Sequence, residues 1–264
     1  MNNKEKTDMK KFLILLLATM MLTSTALCAE LNITTGPDAK VETVTFETPN
    51  SVPAGWLPLK EAAKYLPIDV SWNAKAKAVV IKSEPMRVNW SFLASEEFST
   101  QRIALRGRDL KLVNGVAYCS PWFLANRLMG VAFVHEGEVW YCDTTLNLDG
   151  HVQAALLEMK VVAPEAYEMV TKYLTGGVKA AEEYFPDALA YVYPYSANPV
   201  CYISDTKMTG ATLASNIAHE AWHVHQARTG LTVTEKGADA YEKQILNTLL
   251  HEQRVYNGTA NLYK

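Results

Sequence analysis

The amino-acid sequence predicts an α+β protein in two parts, a small strand-rich unit with short helices and then a mostly helical unit with a short sheet. Three observations predict it. Residues 52–144 alternate strand-like runs with short amphipathic stretches, in an order that occurs twice. After Asp149 and Gly150 the apolar spacing becomes helical. Within that second part, two short runs rich in aromatic and β-branched residues, 189–195 and 200–204, flank a Ser196-Ala197-Asn198-Pro199 turn.

The chain starts with a segment of a different kind. Lys10 and Lys11 precede an apolar run over residues 12–22, and Ala26, Leu27, Cys28 and Ala29 follow. A basic start, a short apolar stretch and a small-residue exit predict a secretory signal peptide over residues 1–29, cleaved after Ala29. The run is shorter than the roughly 20 residues a membrane span needs, so no span is expected after cleavage. The expected location is secreted, periplasmic or at the cell envelope of a bacterium. Residues 30–50 are expected as a linker, 51–145 as the strand-rich unit and 146–264 as the helical unit. The net charge of −3 gives no electrostatic grip on nucleic acid. A hydrophobic fraction of 49% is ample for a packed core.

In the strand-rich unit the first copy of the repeat opens at Trp56-Leu57-Pro58-Leu59, continues as a helix to Leu66, and leads into strands at residues 70–72 and 78–81. The second opens at Tyr118-Cys119-Ser120-Pro121, continues to Leu128, and leads into strands at 131–133 and 139–141. A proline stands where each helix begins, a place where its missing N–H is harmless. Cys119 and Cys142 fall on strand-like segments of this one region, and export permits disulfides, so these two are expected to pair and Cys201 to stay free. Trp56, Trp72, Trp90, Trp122 and Trp140 read as core residues, with a sugar-binding platform as the alternative. With its Leu-Pro-Leu-Lys-Glu-Ala-Ala opening and Val-Ser-Trp-Asn-Ala-Lys middle, this unit resembles the copper amine oxidase-like N-terminal (stalk) domain. That resemblance implies an accessory module of exported bacterial proteins, for cell-wall or partner contact, and no copper chemistry.

In the helical unit, residues 151–160 form one helix. Pro164 opens a second that runs toward Glu183 and is kinked or divided at Gly176-Gly177. A third covers 212–228 and ends at Gly230, and a fourth covers 235–256 and ends at Asn257-Gly258. The third carries His219-Glu220-Ala221-Trp222-His223, an HExxH motif. Residues four apart on a helix differ by about 40° in direction, so both imidazoles reach one zinc ion from the same face. Glu220, between them, is the candidate general base for a water activated by Zn2+. His225 lies about 200° round the helix from His223 and is expected to face elsewhere.

Two histidines leave a zinc site one protein ligand short. The next helix offers Glu235, Asp239 and Glu242 near one face. Here the residues resemble the gluzincin metallopeptidases, which implies a zincin-like domain with His219, His223 and Glu235 as zinc ligands and Glu220 as general base. It also implies Asp239 as the carboxylate that orients a ligand histidine. Asp239 and Glu242 remain alternatives to Glu235 as the third ligand. An oxyanion donor is expected from Tyr202, Arg228, Tyr241 or His251. Tyr202 is foremost, since it lies on a strand just ahead of the motif helix, where a substrate backbone can dock by strand addition. The expected function is an exported zinc-dependent metallopeptidase acting on a peptide or protein. The alternative is a non-catalytic extracellular or cell-wall binding protein whose zinc site is structural or vestigial.

Overall fold

The computed structural model describes residues 27–93, 109–182 and 188–251. Almost all of the expected leader and the expected end of the last helix lie outside these residues. The fold is mixed α+β, as the two patterns of apolar spacing predicted. Among the described residues, no helix is long and apolar enough to cross a membrane.

Among the described residues the first part holds ten strands: β1 (Leu27–Thr34), β2 (Glu42–Thr48), β3 (Leu57–Pro58), β4 (Ile68–Asn73), β5 (Ala78–Ser83), β6 (Val88–Leu93), β7 (Leu110–Val113), β8 (Val116–Cys119), β9 (Ala132–His135) and β10 (Glu138–Cys142). The repeat is visible in the order of elements. In the first copy β3 leads into helix α1 (Leu59–Ala62) and the hairpin β4–β5. In the second, β8 leads into α2 (Pro121–Phe123), a π-helical turn (Leu124–Met129) and the hairpin β9–β10. Pro121 stands in the first turn of α2, and the Ser120 hydroxyl accepts the Phe123 N–H there. The two opening strands pair with each other, Leu57 opposite Cys119 and Pro58 opposite Tyr118, so the copies join through corresponding segments.

Residues 30–50, expected as a linker, are instead largely β-structure. β1 and β2 form an antiparallel hairpin, and β1 also runs parallel to β10, giving the sheet order β2-β1-β10-β9. Ala29 and Leu31 on β1 are buried in the core beside Val139 and Tyr141 of β10. The expected cleavage point after Ala29 thus falls inside a strand. The expected disulfide is absent too, since Cys119 and Cys142 are buried free thiols. They share one hydrophobic cluster but stand on different sheets, β3-β8-β7 and β2-β1-β10-β9. Burial raises both thiol pKa values, that of Cys142 to about 11. The tryptophans divide: Trp56 is buried with Val52 and Tyr118, Trp140 stacks on Phe133, and Trp72 is 52% exposed on β4.

The second part contains α3 (Leu148–Val162), α4 (Pro164–Tyr173), α5 (Gly210–Thr229), α6 (Glu235–Leu249) and the three-stranded sheet β11 (Val178–Ala180), β13 (Cys201–Ile203), β12 (Ala190–Val192). The helix opened by Pro164 stops at Tyr173. Gly176 and Gly177 separate it from a strand, because the chain must pass close to Asn198 and Pro199 there. α3 serves both parts: Ala154 and Leu157 pack into the first core, whereas Val152, Ala155 and Met159 pack into the second. The second core is closed by α5, whose Leu213, Ile217, Ala221 and Val224 recur at helical spacing and are fully buried. The loop between β1 and β2 fastens the two parts. Asp38 accepts from Lys160 Nζ of α3 at 2.8 Å and from Tyr167 Oη of α4 at 3.0 Å.

Candidate metal centre

The centre lies between α5 and α6. α5 ends at Gly230, which adopts the left-handed conformation (φ 76°) that a side chain would disfavour, and after four intervening residues the chain turns back as α6. The reversal sets the start of α6 against the middle of α5, so Glu235, in the first turn, meets both histidines. Glu235 Oε2 is 3.3 Å from His219 Nε2, Glu235 Oε1 is 3.4 Å from His223 Nε2, and the two Nε2 atoms are 3.1 Å apart. Donor atoms placed tetrahedrally about 2.0–2.1 Å from zinc are separated by roughly 3.3–3.4 Å. The donor set of two imidazoles and one carboxylate, at these spacings, fits zinc.

The other nitrogen of His219 is held as a ligand histidine requires. His219 Nδ1 lies 3.1 Å from Glu242 Oε2 and 3.7 Å from Asp239 Oδ1. A carboxylate has no proton to give, so Nδ1–H donates to Glu242, and the neutral imidazole would then offer its Nε2 lone pair to a metal ion. The carboxylate hydrogen-bonded to His219 Nδ1 is therefore Glu242, with Asp239 beyond hydrogen-bond length, where the gluzincin resemblance implied Asp239. Glu242 is itself fixed from α5, since Asn216 Nδ2 donates to its Oε1 at 3.4 Å. Neither Asn216 nor Glu242 was singled out for this role. The signal for Glu242 was its spacing seven residues after Glu235, two helical turns on the same face. His223 Nδ1 is buried and has no hydrogen-bond partner among the described residues.

Glu220 is only 6% exposed. Burial, then the charges of Glu235 and Glu242, push its carboxyl pKa up to about 8. Cys201 on β13 is near enough for Glu220 to add to the rise that burial causes in the thiol's pKa. The His side chains are largely buried, while that of Glu235 is 77% exposed, so the centre opens to solvent past Glu235. Acidic groups outnumber the basic ones here, an imbalance that favours a bound cation.

Among the described residues, none of the four oxyanion candidates makes a hydrogen bond, ion pair or ring contact with His219, His223 or Glu235. Cys201 and Ile203 on β13 are buried in the core that α5 closes, so alternation turns Tyr202 to the other face of the sheet, where it stacks on Tyr191 with ring centres 5.1 Å apart. β13 is also the central strand of its sheet, so it has no edge for strand addition. Arg228 donates to the Ser196 carbonyl, and Tyr241 stacks on Trp222 at 4.6 Å. His251 sits beyond the far end of α6, roughly 24 Å along the axis from Glu235 at 1.5 Å per residue. It lines a cavity of about 520 Å³ with His135, Val162 and Gln244. His225 faces away from the cluster as expected, its Nδ1 3.0 Å from Tyr173 Oη.

Searched against family models, curated proteins and solved structures, the chain matches none.

Proposed function

We propose that this protein is an exported zinc metallopeptidase of gluzincin type, with a stalk-like module ahead of the catalytic part. The observation that carries the reading is the meeting of His219 Nε2 and His223 Nε2, 3.1 Å apart, with the Glu235 carboxylate, whose Oε2 lies 3.3 Å from the first and whose Oε1 lies 3.4 Å from the second, near the buried carboxyl of Glu220. Zinc held by His219, His223 and Glu235 would supply Lewis-acid polarisation of the scissile carbonyl and acidify a water.

The chain's own groups do the rest. Glu220 takes the proton of the attacking water and gives it to the departing amide nitrogen. Its burial beside the metal-binding groups keeps that carboxyl out of bulk water, in a place suited to exchanging a proton with a metal-bound water. Glu242 keeps His219 in the tautomer and orientation that aim Nε2 inward. β12 is an edge strand packed beside α5, with no strand on its outer side among the described residues, and so offers backbone groups to an extended peptide.

A non-catalytic binding protein with a structural zinc is the weaker reading. Structural sites are closed by four protein ligands, whereas this cluster has three, an open side and a buried carboxyl beside it. The test is hydrolysis of a quenched fluorescent peptide library by purified protein loaded with zinc. Cleavage that a chelator stops and that Glu220→Gln lacks supports the proposal. Cleavage at the same rate by Glu220→Gln, or none by the parent on any peptide, opposes it.

A further inference from the structure

Glu235 is mostly solvent-exposed, so packing of its own side chain cannot hold its carboxylate between two histidines. Its place must come from the backbone at the start of α6. Among the described residues, one side chain of α5 hydrogen-bonds to that backbone. Gln226 lies three residues beyond His223 and is 5% exposed, and its carboxamide oxygen accepts the Thr234 N–H at 3.3 Å. Its carbonyl accepts the N–H groups of Gly230 and Leu231, which close the end of α5. Thr234 in turn caps α6, its hydroxyl accepting the Gly237 N–H at 3.3 Å. The residue that Gln226 grips thus immediately precedes Glu235.

Gly237 completes the fit from the α6 side. A Cβ there would lie 2.6 Å from Gln226 Nε2 and 3.3 Å from both Thr234 Oγ1 and Trp222 Nε1. A side chain at this position would push the Gln226 carboxamide from its place, and glycine lets the first turn of α6 rest on Gln226 and Trp222. One turn later Tyr241 stacks on Trp222, which fixes the rotation of α6 about its axis.

We infer that Gln226, seated against Gly237, is a positioning residue that sets Glu235 at the metal centre and so determines how tightly the third donor engages zinc. This rests on the zinc reading above, and it assigns a role to residues that touch neither metal nor substrate. A buried carboxamide that bonds a backbone N–H in the turn transmits the geometry of α5, which carries both histidines, to the residue beside the third ligand. Losses of about 10–100-fold in metal affinity are usual when such supports are removed.

The experiment is a double-mutant cycle on the full chain. Zinc affinity is measured by chelator competition for the parent, Gln226→Leu, Glu235→Gln and the double variant. Gly237→Ala is treated in the same way, as a second probe of the same contact. Melting temperatures of the metal-free proteins and visible spectra of the Co2+-loaded proteins are recorded alongside. The inference expects Gln226→Leu to weaken zinc about 10–100-fold in the parent, to have little further effect once Glu235 is Gln, and to shift the Co2+ spectrum toward that of Glu235→Gln. An equal loss in both backgrounds, including one caused by unfolding, would show a merely structural role and overturn it. So would an unchanged affinity in both Gln226→Leu and Gly237→Ala. A parent that holds no zinc sinks the underlying reading instead, and the two failures are thereby distinguished.

Discussion

Asp239 and Glu242 both approach His219 Nδ1, and replacing each by its amide separates their contributions. Glu242 Oε2 is 3.1 Å from Nδ1, its side chain is 28% exposed, and Asn216 holds its other oxygen. Asp239 Oδ1 is 3.7 Å away on a side chain that is 68% exposed. The first contact is a charge-assisted hydrogen bond that fixes the tautomer, so Glu242→Gln should weaken zinc binding by about 10–100-fold. The second is a screened surface charge worth about 0.2–1 kcal/mol, so Asp239→Asn should weaken it at most about five-fold. Competition with a chromophoric chelator at pH 7 and fixed ionic strength gives both constants. Raising the salt should erode the Asp239 effect and leave most of that of Glu242. Equal losses, or a larger loss at Asp239, would refute the assignment of Glu242 as the carboxylate that orients His219.

Three further outcomes follow from the structure. Glu220→Gln should keep its zinc and its fold while losing about 10²–10⁴-fold in peptide hydrolysis, measured as kcat at saturating substrate. Glu158, buried on α3 and facing the start of α5, has its pKa raised from 4.5 to about 8 by burial alone. The folded state therefore holds a proton that the unfolded state has lost. The stability contributed by Glu158 should be full below pH about 4.5 and fall by up to about 1.4 kcal/mol per pH unit as pH rises toward 8. Glu158→Gln should flatten that slope in urea titrations across pH 5–9, and an unchanged slope would contradict the account. Finally, Cys119 and Cys142 should each take one alkylating group after unfolding in denaturant without reductant, as read by intact mass; a pair that labels only after reduction would show a disulfide.

Much of the site was legible because it lies on two helices joined by a short turn. The spacing of His219 and His223 fixes a shared face whatever the helix packs against. The acids at 235, 239 and 242 fall on one face for the same reason. Which acid meets which histidine nitrogen depends on the rotation and crossing of α6 over α5, and that is set by Gly237, Trp222 and Tyr241 rather than by periodicity. Tyr202 shows a different limit. Strict alternation puts it opposite Cys201 and Ile203, but the side that faces α5 is known only once those two are seen in the core. The β1–β2 hairpin was missed because its key partner, β10, lies about a hundred residues away, and a parallel pairing at that distance leaves no local mark. The disulfide expectation failed on similar grounds, since membership of one region did not imply membership of one sheet.

The central claim is that His219, His223 and Glu235 together hold one zinc ion. Metal content by mass spectrometry on purified protein tests it most directly, with the parent beside Glu220→Gln and Glu235→Gln after dialysis against the same weak chelator. The account predicts one zinc per chain in the parent and in Glu220→Gln, and substoichiometric zinc in Glu235→Gln. A parent that retains no zinc after reconstitution, or a Glu235→Gln variant that retains it as fully as the parent, would contradict it.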